Sequence, residues 1–154
     1  MATDKVRNQI IDATLALAAE RPFPEIGLGD IAARAGVGLD TVRSAFRMRI
    51  EIVSAFVERV DRAALAGSGE TTEESSRERV FDVLMRRFDA LAPYRAGVKS
   101  IVGAARRDPM LALALNGMSV RAMGWMLEAA DAGRTGLRGA LRAQGLALIW
   151  GRAL

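Results

Sequence analysis

Apolar residues recur at helical spacing along almost the whole chain, and nowhere do they alternate as on a half-buried strand. Val6, Ile10, Ala13 and Leu17 line one face of a first predicted helix. It starts at Thr3 or Asp4, where a side-chain oxygen can cap it, and runs to Glu20. Arg21-Pro22-Phe23-Pro24 ends it, because a helix interior does not accommodate two prolines. Phe23 and Ile26 are then placed to close the side of a small core. Leu28 to Phe46, LGDIAARAGVGLDTVRSAF, reads as two short helices around a corner. Ile31, Ala32 and Ala35 give the first helix an apolar face, and Val42 and Phe46 do the same for the second. Gly36 sits where the chain must turn sharply, a place where a residue without Cβ takes positive φ at no steric cost. Val37 plugs the corner, and Ala32 is small enough for two helices to cross closely. Such a helix-turn-helix can project its second helix into a DNA major groove.

A fourth helix, about Arg49 to Ala66, carries Ile52, Val53, Phe56, Val57 and Val60 as an apolar stripe. Gly67 to Glu74, GSGETTEE, is small, polar and acidic and reads as a linker. Ser75 and Glu78 form an S-x-x-E capping box that opens a fifth helix, with Val80, Phe81, Leu84, Phe88 and Leu91 as its predicted buried face. Pro93 suits the first position of a sixth helix containing Val98, Ile101 and Val102. Asp108-Pro109 opens a seventh, extending to Ala130, and Asp131 to Gly136 breaks it. A final helix from about Leu137 holds Leu141, Leu148, Ile149 and Trp150. The fold class is all-α. Its predicted organisation is a head over residues 1–48, a linking helix over 49–66 and a helical body over 67–154.

Composition narrows the chemistry. The 154 residues are 51% hydrophobic, enough for a substantial core, and include neither cysteine nor histidine. Disulfides, thiolate nucleophiles, the usual zinc sites and histidine acid–base catalysis are thereby excluded. Asp82 and Asp89 beside Arg86 fall at spacings that support a helix electrostatically, and no G-x-x-x-x-G-K-[ST] loop is present. Neither an enzyme nor a cofactor is expected. No run approaches 18 to 20 uncharged apolar residues, and the first residues are charged, so the expectation is a cytoplasmic protein without integral membrane association.

The net charge is +4, with arginine supplying 20 of the 22 cationic residues. Residues 1–64 hold nine cations and nine carboxylates, so the surplus lies wholly in residues 65–154. A neutral head counts against nucleic-acid binding. Locally the balance differs: residues 34–49 hold Arg34, Arg43, Arg47 and Arg49 against Asp40 alone. Arg134, Arg138, Arg142 and Arg152 form an acid-free run that is either an acidic-partner or membrane-surface patch or a solvated face.

The helix order, with DIAARAGVG and DTVRSAF from residue 30 onward, resembles the TetR family of transcriptional regulators. The motif covers the first 60 residues, and the remainder is similar in helix order. The resemblance implies a homodimer that binds palindromic double-stranded operator DNA through its heads. It further implies a small apolar ligand in the body and dimerisation through the last two helices. By this resemblance Ile31, Ala32, Gly36, Val37, Thr41 and Phe46 are scaffold positions, Thr41 contacts phosphate, and Arg49 matches a phosphate-clamping lysine. Arg43 stands where the family usually carries an aromatic residue. Leu39, Asp40, Thr41, Arg43, Ser44, Arg47 and Arg49 are the candidate DNA contacts. Arg43 could read guanine or grip a phosphate, and Asp40 could accept from cytosine N4. Alternatively these residues form a solvated face on which Asp40 favours the helix N-terminus.

The later segment, SSRERVFDVLMRRFDALAPYRAGVKSIV followed by DPMLALALNGMSVRAMGWMLEAA, also resembles the TetR-like ubiquinone-biosynthesis accessory proteins. That resemblance implies an isoprenoid-lipid-binding body, a partner enzyme and no sequence-specific DNA binding. Five of the seven methionines lie in residues 85–126, and methionine suits adaptable apolar cavities as well as ordinary cores. The candidate pocket residues are Met85, Phe88, Tyr94, Met118, Arg121, Trp125 and Met126, with Tyr94 or Arg121 as polar anchor for an apolar ligand or lipid.

Overall fold

The computed structural model describes residues 3–67, 75–132 and 136–153, and they are helical with no strand. Eight α-helices run in order: α1 (Asp4–Glu20), α2 (Leu28–Ala35), α3 (Leu39–Ala45), α4 (Arg49–Leu65), α5 (Ser76–Leu91), α6 (Arg95–Ala105), α7 (Pro109–Ala129) and α8 (Gly136–Ala153). Short 3-10 turns occupy Phe23–Glu25 and Ala92–Tyr94. Thr3 caps α1 by accepting from the Val6 amide at 3.4 Å. Ser75 and Glu78 close a reciprocal capping box on α5, with the Ser75 amide 2.8 Å from Glu78 Oε2. Pro93 does not open α6 but lies inside the second 3-10 turn, and α6 starts two residues later. Residues 68–74 of the predicted linker, and 133–135 of the break before α8, lie outside the described residues.

The chain divides into two compact units, Met1–Phe56 with Tyr94–Ala114, and Val57–Pro93 with Leu115–Leu154. In the first, Ile10, Ile26, Ile31, Val42 and Ile52 are fully enclosed, with Phe23 and Phe46 beside them. This unit takes in α6, which packs along α1. The contact is close because Gly97 has no side chain: a Cβ there would stand 2.5 Å from the Leu15 carbonyl oxygen. Tyr94 stacks edge-on against Phe56 at 5.1 Å and donates to Asp12 at 3.4 Å.

The second unit buries Val60, Ala64, Val83, Leu91, Met118, Met123, Met126 and Trp150. Here α5 corrects the reading of its inner face. Val83, Arg87 and Leu91 point inward, while Phe81 is 62% exposed. The physical reason is Asp61 of α4, a buried carboxylate that draws the Arg87 guanidinium into the interior. By length and composition alone α7 could cross a membrane, though it carries Arg121, and Met118, Met123 and Met126 on it are core residues.

Candidate nucleic-acid interface

Residues 28–46 form the helix-turn-helix that their spacing predicts. Gly36 adopts the left-handed conformation at φ 67°, and the Val37 amide bonds back to the Ala32 carbonyl at 3.1 Å. Ile31 and Val42 are wholly buried, and Ala32 is buried between them in the corner. A set of ion pairs fixes this unit from outside. The Asp30 carboxylate accepts from the Gly27 amide at 2.7 Å and pairs with Arg21 at 2.8 Å, and both contacts lower its pKa, the amide more strongly. Arg34 meets Glu20 in a two-pronged pair whose hydrogen bonding holds the Glu20 carboxyl below its ordinary range. Arg7 donates to the Ala45 carbonyl at 2.8 Å and lies over the Phe46 ring, so α1 clamps the end of α3. Arg7 was not singled out by sequence reasoning, because nothing local links it to a helix 38 residues away.

The predicted contact residues divide by position. Leu39, Asp40, Arg43, Ser44 and Arg47 are exposed along one side of α3 and its C-terminal extension, and Thr41 is half-buried. Ser44 Oγ donates to the Thr41 carbonyl at 2.9 Å. The Asp40 carboxylate folds back over Gly38 at the start of its own helix, where negative charge is favoured. The Arg47 amide donates to Glu51 at 2.6 Å, which caps the start of α4. Of the four arginines in residues 34–49, Arg34 is neutralised by Glu20. Arg49 turns away from α3: its Nη1 donates to the carbonyls of Phe23 (2.8 Å), Pro24 (3.1 Å) and Ile26 (2.6 Å), and its guanidinium stands 5.2 Å from the Phe23 ring centre. It thus ties the first turn of α4 to the 3-10 turn after α1. The cationic character of the exposed face rests on Arg43 and Arg47, which form no ion pair among the described residues.

The candidate pocket residues divide between the two units. Tyr94 lies in the first unit and the other six in the second. Met118 and Met126 are packed in the core, while Met85 and Trp125 are largely exposed. Phe88 stacks on Trp150 at 4.2 Å, and Arg121 is exposed, its charge lowering the Asp61 pKa. The interior of this unit also holds a polar pair. Arg87 Nε donates to Asp61 Oδ1 at 3.0 Å, its Nη2 stands 2.9 Å from the same oxygen in an ion pair, and the guanidinium lies 4.7 Å from the Trp150 ring centre. Burial raises the Asp61 pKa and lowers that of Arg87, each against the pull of its partner. In the basic run near the C-terminus, Arg142 donates to the Ala132 carbonyl at 2.8 Å, and Arg134 lies outside the described residues.

A helix-turn-helix at the N-terminus followed by a helical body defines a class of DNA-binding-type regulators. No family model matches the sequence, and neither does any curated protein. Solved structures do. The chain is similar to a TetR transcriptional regulator from Nitrosomonas europaea ATCC 19718, at 26% identity over 97% of this chain and 85% of that one, with a TM-score of 0.75. It is similar in fold to a TetR regulator from Rhodococcus sp. RHA1 (22% identity, 96% and 81% covered, TM-score 0.65). A TetR-family regulator from Streptomyces coelicolor is a further fold neighbour (21%, 98% and 72%, TM-score 0.56). The chain has the TetR-regulator fold, and the resemblance read from Leu28–Phe46 and the helix order is borne out.

Proposed function

We propose that this protein is a cytoplasmic transcriptional regulator that binds double-stranded operator DNA as a homodimer, without catalytic activity. The observation that carries the reading is the turn at Gly36, backed by the buried Ile31 and Val42, supporting an exposed side of α3 with Arg43, Ser44 and Arg47. Arg43 and Arg47 are the cations placed to meet base edges or phosphates, and Thr41 flanks them. The dimer reading is supported by α8. Leu137, Leu141 and Leu148 recur on one side of it, are each more than half exposed, and represent apolar area that a second copy would remove from water. An apolar ligand in the body would act through α4, which leads directly from the helix-turn-helix into the second unit.

The test is selection from a random duplex library at near-physiological salt. An enriched palindrome establishes the regulator, and its half-site spacing reports the dimer geometry. One observation favours a second reading. With Arg49 held on backbone carbonyls and Arg34 neutralised, the head offers few cations to DNA. Absence of enrichment from folded protein would therefore favour a lipid-binding accessory role, checked by native mass spectrometry for co-purifying lipid.

A further inference from the structure

Within the first unit, a groove of about 450 Å³ lies between the last turn of α1, the segment Arg21–Pro24 and one side of α6. Its size is within the range of small-molecule sites, roughly 300–1,000 Å³. The walls from Ala18, Ala96 and Ala104 are apolar and small, and the polar groups on it are Arg21, Ser100 and Arg107 with Glu20 at the rim. The carboxylate there is already committed, since Glu20 is bound by Arg34. Arg21 pairs with Asp30, while its Nε is enclosed without an acceptor. Arg107 is exposed and forms no ion pair among the described residues, and the Ser100 hydroxyl makes one long bond of 3.5 Å to the Arg21 carbonyl.

A cation after a helix C-terminus, as Arg107 is after α6, is favoured whatever lies beside it. Gly103 lines the groove beside it. A glycine inside a helix weakens it and usually has a packing reason. Gly97 on the same helix has one, the Leu15 carbonyl, while a Cβ at Gly103 would meet nothing within 4 Å, as at Gly29, Gly117 and Gly145 in other helices. Neither positive φ nor close packing calls for glycine there, and the consequence of the missing side chain is an open groove wall.

We propose that this groove binds a small organic acid, its carboxylate facing Arg107 and Ser100 and its compact apolar body resting on Ala18, Gly103 and Ala104. The site lies within the first unit, and it stands independently of operator binding. The experiment is amide NMR on the full chain, titrated with benzoate and, in parallel, with inorganic phosphate. Benzoate is expected to shift the Ser100, Gly103 and Ala104 amides saturably. Arg107→Gln should weaken it about tenfold, as loss of a charge-assisted contact does, and Gly103→Leu should abolish it by filling the groove. Should the leucine variant fold poorly, Arg107→Gln, at an exposed position, decides alone. No saturable shift by about 10 mM benzoate, shifts unaffected by Arg107→Gln, or equal affinity for phosphate would each overturn the assignment.

Discussion

Removing Asp61 should cost more than removing Arg87, and the two losses should differ in pH dependence. Asp61→Ala deletes the oxygen that accepts from Nε and pairs with Nη2 of a guanidinium only 4% exposed. Arginine cannot shed its proton, so an uncompensated charge stays inside, at a cost of about 3–5 kcal/mol. Against a total stability of roughly 5–15 kcal/mol this is severe. At about 2–4 °C per kcal/mol it lowers Tm by about 6–20 °C. Arg87→Met fills similar space and leaves a carboxyl that can neutralise itself. Burial already holds the Asp61 pKa above the ordinary 3.8, even with Arg87 beside it, and without Arg87 it moves higher. The folded state then holds the proton more tightly than the unfolded chain. Stability is therefore retained below the ordinary carboxyl pKa and declines as pH rises through the raised one. Arg87→Met should accordingly be milder at about pH 5 than at about pH 8. Urea unfolding at fixed protein concentration, followed by fluorescence, reads both, because Trp150 is buried against Arg87 and Phe88. Equal and pH-independent losses in the two variants, or losses below about 1 kcal/mol, would refute the reasoning.

Two glycines on α6 should respond in opposite directions. Gly97→Ala forces a Cβ onto the Leu15 backbone carbonyl and should destabilise by about 1–3 kcal/mol. Gly103→Ala meets open space and should stabilise by about 0.5–1 kcal/mol, both read from thermal melts. Two arginines should separate in DNA binding. Arg43→Ala should relax base preference by about 1–3 kcal/mol where its contact is bidentate, measured on a selected operator and its single-base variants. Arg49→Ala should instead lower head stability by about 1–3 kcal/mol through loss of its carbonyl contacts and leave the salt dependence of binding unchanged. A salt slope flatter by about one would show that Arg49 leaves those carbonyls to grip phosphate.

What the sequence determined by itself is local. Helix positions follow from apolar recurrence, the Thr3 and Ser75 caps, and the prolines after α1, because these signals act within one or two turns. The corner at Gly36 was equally legible, since only a residue without Cβ takes φ 67° there without strain. The exposed side of α3 follows from the same periodicity once Val42 and Phe46 are assigned inward. What the tertiary structure decided depends on partners far apart in the chain. An arginine reads as solvated until a buried carboxylate 26 residues away accepts it, so Arg87 displaced Phe81 from the expected inner face of α5. Arg49 reads as a surface cation until three carbonyls from residues 23–26 surround its Nη1. Tyr94 falls in the first unit and Met85, Met118 and Met126 in the second, because composition carries no information about which unit a helix joins. Charge and shape complementarity between distant segments, unlike helical periodicity, exist only after the chain has folded.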